Sequence, residues 1–303
     1  MTAARPRILI VGSTGQVGVE LKRSFAGAGE IFERDRSQVD VTKPDEIRAM
    51  VRSVAPDIVL NAAAYTAVDR AETERETANA VNAVAPGVLA EEALRHDALL
   101  VHFSTDYVFD GSKRTAWIET DSPKPLSIYG ASKLAGDRAI EQVGGKYLIF
   151  RTSWVYGPHG KNFLFTMLRL GHECDQLKIV DDQVGGPTTS CELADATYSI
   201  VTSVLSGKHG AAENWSGLYN MTCSGSVSWC GFARAILERA GGLLKGKQPE
   251  IVPIPTSAYP TPAARPAYSV LSNEKLQTRF AVKLRPWEDA LENVLFILKE
   301  RVG

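Results

Sequence analysis

The 303 residues carry 34 Lys and Arg against 35 Asp and Glu, a formal net charge of −1, which leaves no electrostatic case for a nucleic-acid or anionic-membrane partner. With 44% hydrophobic and 23% charged residues, the composition is that of a globular protein long enough for one large or two ordinary domains. No apolar run approaches the ~18 residues of a membrane span, and Met1–Pro6 lacks a signal peptide's apolar stretch, so a cytoplasmic location is expected. Cys174, Cys191, Cys223 and Cys230 show neither zinc spacing nor a paired framework and are expected as reduced thiols. His172-Glu173-Cys174 has no second cluster to complete it, and no metal is expected.

In chain order, Ile8–Val11 reads as a buried strand that opens into Gly12-Ser13-Thr14-Gly15-Gln16-Val17-Gly18, followed by a helix from Val17 to Phe25. Glycines at that spacing permit a tight turn, close approach to a pyrophosphate and close packing of helix on strand, which points to dinucleotide binding. A second strand, Ile31–Asp35, runs into Glu33-Arg34-Asp35-Arg36. An acid there suits the ribose hydroxyls of NAD and a base the 2′-phosphate of NADP, so NADPH and NADH both remain open. Asp40, beside Val41, is a candidate for the adenine end, or else a turn residue before the next helix. That helix is expected from Thr42-Lys43-Pro44-Asp45-Glu46, with Thr42 as its capping hydroxyl, and runs to about Val54.

Further strands are expected at Ile58–Leu60, Ala98–Phe103 and Tyr147–Phe150, separated by helices over Thr77–Arg95 and Ser127–Gln142. Apolar strands alternating with helices predict an α/β protein, a Rossmann-type doubly wound parallel sheet, whose ligands sit beyond the carboxyl ends of the strands. Three polar clusters fall there: Asn61-Ala62-Ala63-Ala64, Ser104-Thr105-Asp106 and Thr152-Ser153-Trp154. The second half is less regular, with helices at Asn162–Gly171, Leu193–Leu205 and Val227–Ala240 and strands at Leu177–Val180 and Leu218–Met221. Ile251–Pro266 carries Pro253, Pro255, Pro260, Pro262 and Pro266 and is expected to be irregular, either a linker or a segment wrapped over a site. Residues 1–156 are therefore assigned to a coenzyme domain, rejoined by segments near 188–222, and 157–303 mainly to a smaller substrate domain.

Tyr129 and Lys133 stand four residues apart, about one helical turn, so phenol and ammonium can point into one cleft. A nearby cation is expected to draw the phenol's pKa down from about 10 toward working pH, which suits proton exchange in a carbonyl/alcohol interconversion. Thr105, at a strand end, is positioned to donate its hydroxyl to a substrate carbonyl. Tyr107 and Trp154 are aromatics on the same edge.

Taken together, the glycine turn, Asn61–Asp69, Ser104–Gly111, Tyr129–Lys133, Arg151–Gly157, Asp182–Thr188 and Ala258–Pro266 resemble the extended short-chain dehydrogenase/reductases and, more narrowly, the dTDP-4-dehydrorhamnose reductases. That resemblance implies NAD(P)H-dependent reduction of the 4-keto group of a dTDP-sugar. It implies that Tyr129 donates the proton, Lys133 tunes Tyr129 and holds the nicotinamide ribose, and Thr105 hydrogen-bonds the keto oxygen. Coenzyme contacts are then expected along Gly12–Gly18, at Asp35, Arg36, Asp40 and Val41, and at Asn61–Ala64. Val68, Asp106, Tyr107 and Trp154 would line the sugar pocket, with Asn162, Gln183 and Arg265 around the substrate. Some relatives dimerise through a cation held by glutamates; Glu192, Glu288, Asp289 and Glu292 match no motif for this, which leaves a monomer or homodimer. Two other functions compete: a regulatory protein on the same fold, like the methionine adenosyltransferase regulatory subunit, and another nucleotide-sugar reductase or epimerase.

Overall fold

A computed structural model describes residues 5–244 and 248–301; the first residues of the Met1–Pro6 segment lie outside the described residues. The first half alternates β1 (Arg7–Val11), α1 (Gln16–Ser24), β2 (Glu30–Arg34), α2 (Pro44–Val54), β3 (Ile58–Asn61), α3 (Val68–Ala71), α4 (Arg75–Asn79), α5 (Ala85–Arg95), β4 (Leu99–Thr105), α6 (Ile128–Val143) and β5 (Tyr147–Thr152). The second half supplies β6 (Val155–Tyr156), α7 (Phe163–Glu173), β7 (Gln176–Val180), β8 (Val184–Gly185), β9 (Thr188–Thr189), α8 (Ser190–Leu205) and β10 (Gly217–Asn220). It ends with β11 (Val227–Ser228), α9 (Trp229–Ala240), β12 (Glu250–Ile254), α10 (Glu274–Phe280) and α11 (Trp287–Glu300).

Six strands form one sheet in the order β2-β1-β3-β4-β5-β10, with every neighbouring pair parallel. The strand sequences dictate this burial. Along β1, Ile8 and Ile10 face a core with α1 and α8, whereas Leu9 and Val11 face one with α2 and α5, so both faces are covered and the run is apolar throughout. The chain leaves β1 toward β2 on one side and resumes at β3 on the other. That reversal opens a crevice past the carboxyl ends of β1 and β3. A third core of Tyr156, Leu164, Phe232, Trp287 and neighbours joins α7, α9 and α11 beside that crevice.

Four local expectations are corrected. Thr42 does not cap α2: its hydroxyl donates to Asp40 Oδ1 at 2.7 Å, and the helix begins behind Lys43 with Pro44 in its first turn. The single helix expected over Thr77–Arg95 is two, α4 and α5, joined by a π-helical turn at Ala80–Val84. Val227 and Ser228 form a short strand, and the Ser228 hydroxyl caps α9 by accepting from Gly231 N at 2.9 Å. Ile251–Ile254, in the proline-rich stretch, is regular: among the described residues β12 pairs with β7 alone, and a strand at a sheet edge tolerates Pro253.

Candidate functional site

The turn after β1 is built by close approach. Gly12 has φ +81°, and a Cβ there would lie 2.6 Å from Ala63 N; one on Gly18 would lie 2.1 Å from Gly12 O. Strand end, β3 end and helix α1 therefore meet at distances that a side chain forbids. Ser13 is buried and its N–H is spent on Arg34 O, whereas Thr14 and Gly15 are exposed. No side chain caps α1 and no acid lies in its first turn, so its N-terminal N–H groups are free to meet an anion.

Thr14, Gly15, Gln16 and Val17 form one end of a cavity of about 470 Å³. Ala62 and Ala64 form its side, and Val68, Thr105, Asp106, Tyr107, Tyr129, Lys133 and Trp154 its other end. Asn61 and Ala63 stand behind that wall, bonded to each other through Ala63 N and Asn61 Oδ1 at 3.2 Å. Asp35 and Asp40 each hold a turn. Asp35 Oδ1 accepts from Ser37 N and Oγ at 2.8 and 2.6 Å, and Asp40 Oδ1 from Thr42 N and Oγ1. The hydroxyl and amide donors hold both carboxyls below their ordinary value. Arg36 is exposed, and Val41 packs on the core beneath α2.

The Ser127 hydroxyl starts α6 by accepting from Gly130 N at 3.2 Å, which sets Tyr129 and Lys133 on successive turns facing the end of β4. Lys133 does not reach for the phenol. Its ammonium nitrogen lies 2.6 Å from Phe103 O and 3.1 Å from His102 Nε2. The expected lowering of the phenol's pKa is therefore corrected: burial pushes Tyr129 up to about 12, while a hydrogen bond with Thr105 acts the other way. Burial also pulls Lys133 down to about 8. Asp106 is buried and pushed up to about 6 by desolvation, against hydrogen bonds from Ser269, Ser153 and Thr105. Thr105 Oγ1 donates to Asp106 Oδ1 at 3.1 Å, and Ser153 Oγ to Oδ2 at 2.8 Å.

Aromatic rings close the far end. Trp154, held at φ +46°, stacks on Trp229 with ring centroids 3.5 Å apart and 8° between planes. Its other side meets Gly185, where a Cβ would fall 2.5 Å from the indole. Trp229 also lines a second cavity of about 460 Å³, together with Asp69, Lys178, Gln183, Thr261 and Arg265. Tyr259 and Thr261 on that wall come from the proline-rich segment, which thus lies along a cavity.

Arg265 is committed to Asp69, at 2.8 and 3.1 Å, and to Thr261 Oγ1 at 2.6 Å. Gln183 donates to Thr256 Oγ1 at 2.9 Å. Asn162 lines neither cavity: it caps α7 by accepting from Phe165 N and donates to Gln16 Oε1, Gly157 O and His159 O. It braces α7 against α1 through Gln16. Sequence reasoning missed Trp229, Lys161 and Thr66 in the first cavity. Trp229 directly follows the Ser228 cap, a position that marks a helix start but says nothing of a ligand.

Residues 6–299 match the family described as RmlD substrate binding domain. A dTDP-4-dehydrorhamnose reductase of Burkholderia thailandensis is 48% identical over 290 residues, 94% of this chain and 96% of that protein. One of Escherichia coli is 42% identical over 294 residues, 95% of this chain and 96% of that one. The crystal structure of a dTDP-4-dehydrorhamnose reductase from Bacillus anthracis in complex with NADP superposes with a TM-score of 0.87 at 33% identity, covering 97% of this chain and 99% of the other.

Proposed function

Because the chain belongs to the dTDP-4-dehydrorhamnose reductase family, we propose that it reduces the 4-keto group of dTDP-4-dehydro-β-L-rhamnose to give dTDP-L-rhamnose, with Tyr129 supplying the proton. When bound, NADPH or NADH supplies the hydride to the carbonyl carbon. The residues around the first cavity fit such a coenzyme: a side-chain-free turn at Gly12 and Gly18 and an uncapped helix N-terminus make a pyrophosphate cradle. Tyr129, Thr105 and Lys133 share that cavity, and this convergence carries the proposal.

A phenol pushed up to about 12 keeps its proton at neutral pH, the state that a reduction needs. As hydride reaches the carbonyl carbon, the developing alkoxide takes the Tyr129 proton, and the phenolate left behind is reprotonated from solvent. Thr105 orients the oxygen by turning its one hydroxyl proton from Asp106 to the substrate. Trp154 and Trp229 form the platform for the sugar, and the second cavity bordered by Trp229 offers Lys178, beside the Arg265–Asp69 pair, to the nucleotide diphosphate. The mixed charges at Glu33–Arg36 support tolerance of both coenzymes.

The test is coenzyme oxidation with enzymatically generated 4-keto sugar nucleotide. Turnover with concomitant dTDP-L-rhamnose is expected, and binding without turnover would overturn the proposal in favour of a regulatory protein.

A further inference from the structure

Behind Lys133 lies buried His102, to which the proposed reaction gives no role, and beyond it Asn61. Asn61, His102 and Lys133 are 2%, 0% and 1% exposed. Asn61 Nδ2 is 2.9 Å from His102 Nδ1, and Lys133 Nζ is 3.1 Å from His102 Nε2. Counting protons along this row exposes a constraint. Asn61 Oδ1 accepts from Ala63 N, so its Nδ2 is the atom that faces the ring and donates. Nδ1 must then be the acceptor, and a neutral imidazole carries its one proton on Nε2. That proton points at Lys133 Nζ, which can accept it only as a neutral amine.

We propose that His102 is a positioning residue that couples the protonation of Lys133 to the orientation of the Asn61 amide. With Lys133 neutral, the row reads Ala63 N–H to Asn61 Oδ1, Asn61 Nδ2–H to His102 Nδ1, and His102 Nε2–H to Lys133. Uptake of one proton reverses it. The Nε2 proton passes to the amine, the incoming proton settles on Nδ1, and the new ammonium donates to Nε2. The Asn61 amide turns so that Oδ1 accepts from Nδ1–H, which releases Ala63 N–H. The release falls on the strip beside Gly12 whose neighbours Ala62 and Ala64 line the coenzyme cavity.

Lys133 is faced by His102 from β4, by Asp137 from its own helix and, beyond Asp137, by Arg151 of β5 at 3.1 Å from that carboxylate. Burial favours the amine, while Asp137 favours the ammonium. The charge that acts on His102 is that of Lys133, which together with burial keeps the ring neutral well below its ordinary pKa. The imidazole therefore answers to pH by changing tautomer rather than charge.

The inference rests on Lys133 belonging to the reductase site, but its test does not need turnover. In uniformly labelled protein, nitrogen NMR of the histidine rings distinguishes the two neutral tautomers, and the His102 signals are those lost from the five histidines in His102→Leu. The expected result is the Nε2–H form at high pH and the Nδ1–H form at low pH, with a midpoint at the Lys133 titration near 8. In Lys133→Met the Nε2–H form should persist throughout. One tautomer from pH 6 to 10 in the wild-type protein, or exchange that survives in Lys133→Met, overturns the proposal. As a functional readout, the Lys133 limb in the pH profile of kcat/KM should be displaced in His102→Leu, because the amine has lost the ring with which it exchanges a proton. An unmoved limb in folded protein counts against it. Absent turnover in the wild type would instead indict the reductase reading and leave the tautomer result standing.

Discussion

Tyr129 is held by its edge-to-face contact with Tyr107, ring centroids 5.8 Å apart, and by its place on α6. Tyr129→Phe keeps both and removes only the hydroxyl, so kcat should fall by about 10²–10⁴ with coenzyme affinity nearly intact. Steady-state kinetics paired with coenzyme titration check this; a near-normal kcat would pass the proton to another donor. Asp106 sets a second test, with its sign fixed by burial. Its folded pKa of about 6 exceeds the ordinary 3.8, so the folded protein holds a proton that the unfolded chain has lost. The stability this contributes is complete below about 4 and is lost as pH rises through about 6. Asp106→Asn removes the titration, so the melting temperature of the variant relative to the parent should climb between pH 4 and 7. The limb near 6 in kcat/KM, where the carboxylate forms and draws in the Thr105 hydroxyl, should vanish with it.

The helices show how one turn type shapes the site. Between α4 and α5 the π-helical turn at Ala80–Val84 presents Asn82, whose side chain donates to Tyr65 O and Ser132 Oγ and accepts from Tyr65 N. Helix α6 is thereby drawn so close that a Cβ on Gly136 would lie 2.1 Å from Asn82 O. Gly136→Ala should cost about 1–3 kcal/mol by urea melting, because backbone rather than a flexible side chain must yield. None of this was legible in the chain: Thr77–Arg95 has helical periodicity throughout, and an extra residue per turn leaves no mark in such a pattern. The strands were legible, since β1, β3, β4 and β5 are continuous apolar runs and burial on both sheet faces demands them. Thr105, Tyr129 and Lys133 were legible as well, because strand ends and helical spacing are local. His102 was not, for it interrupts the apolar run of β4 as an ordinary core residue would. Asp35, Asp40 and Asn162 were legible only in part. Their short polar chains suit ligands and turns alike, and the turn or cap, made within two or three residues, is what the fold uses.

Across the whole molecule, the sheet and the third core meet at the two cavities, and Trp229 is the side chain that faces both. Its ring lies against Trp154 on one side and packs on Phe163 at 4.6 Å, so it belongs structurally to the α7–α9 lobe while bordering the coenzyme chamber. The glycine turn and the ends of β3 and β4 belong to the sheet. On the proposed reading, a substrate that spans sugar and nucleotide passes Trp229, whereas the coenzyme's pyrophosphate end does not. Trp229→Ala should raise KM for the sugar nucleotide tenfold or more, about 1.4 kcal/mol of lost binding, and leave the coenzyme dissociation constant within about twofold. Equal losses for both ligands would mean that the indole supports the lobe as a whole and that the sugar nucleotide lies elsewhere. Trp229→Phe separates these outcomes, because a smaller ring that still stacks on Trp154 should recover most of the sugar-nucleotide affinity if stacking is what the substrate reads.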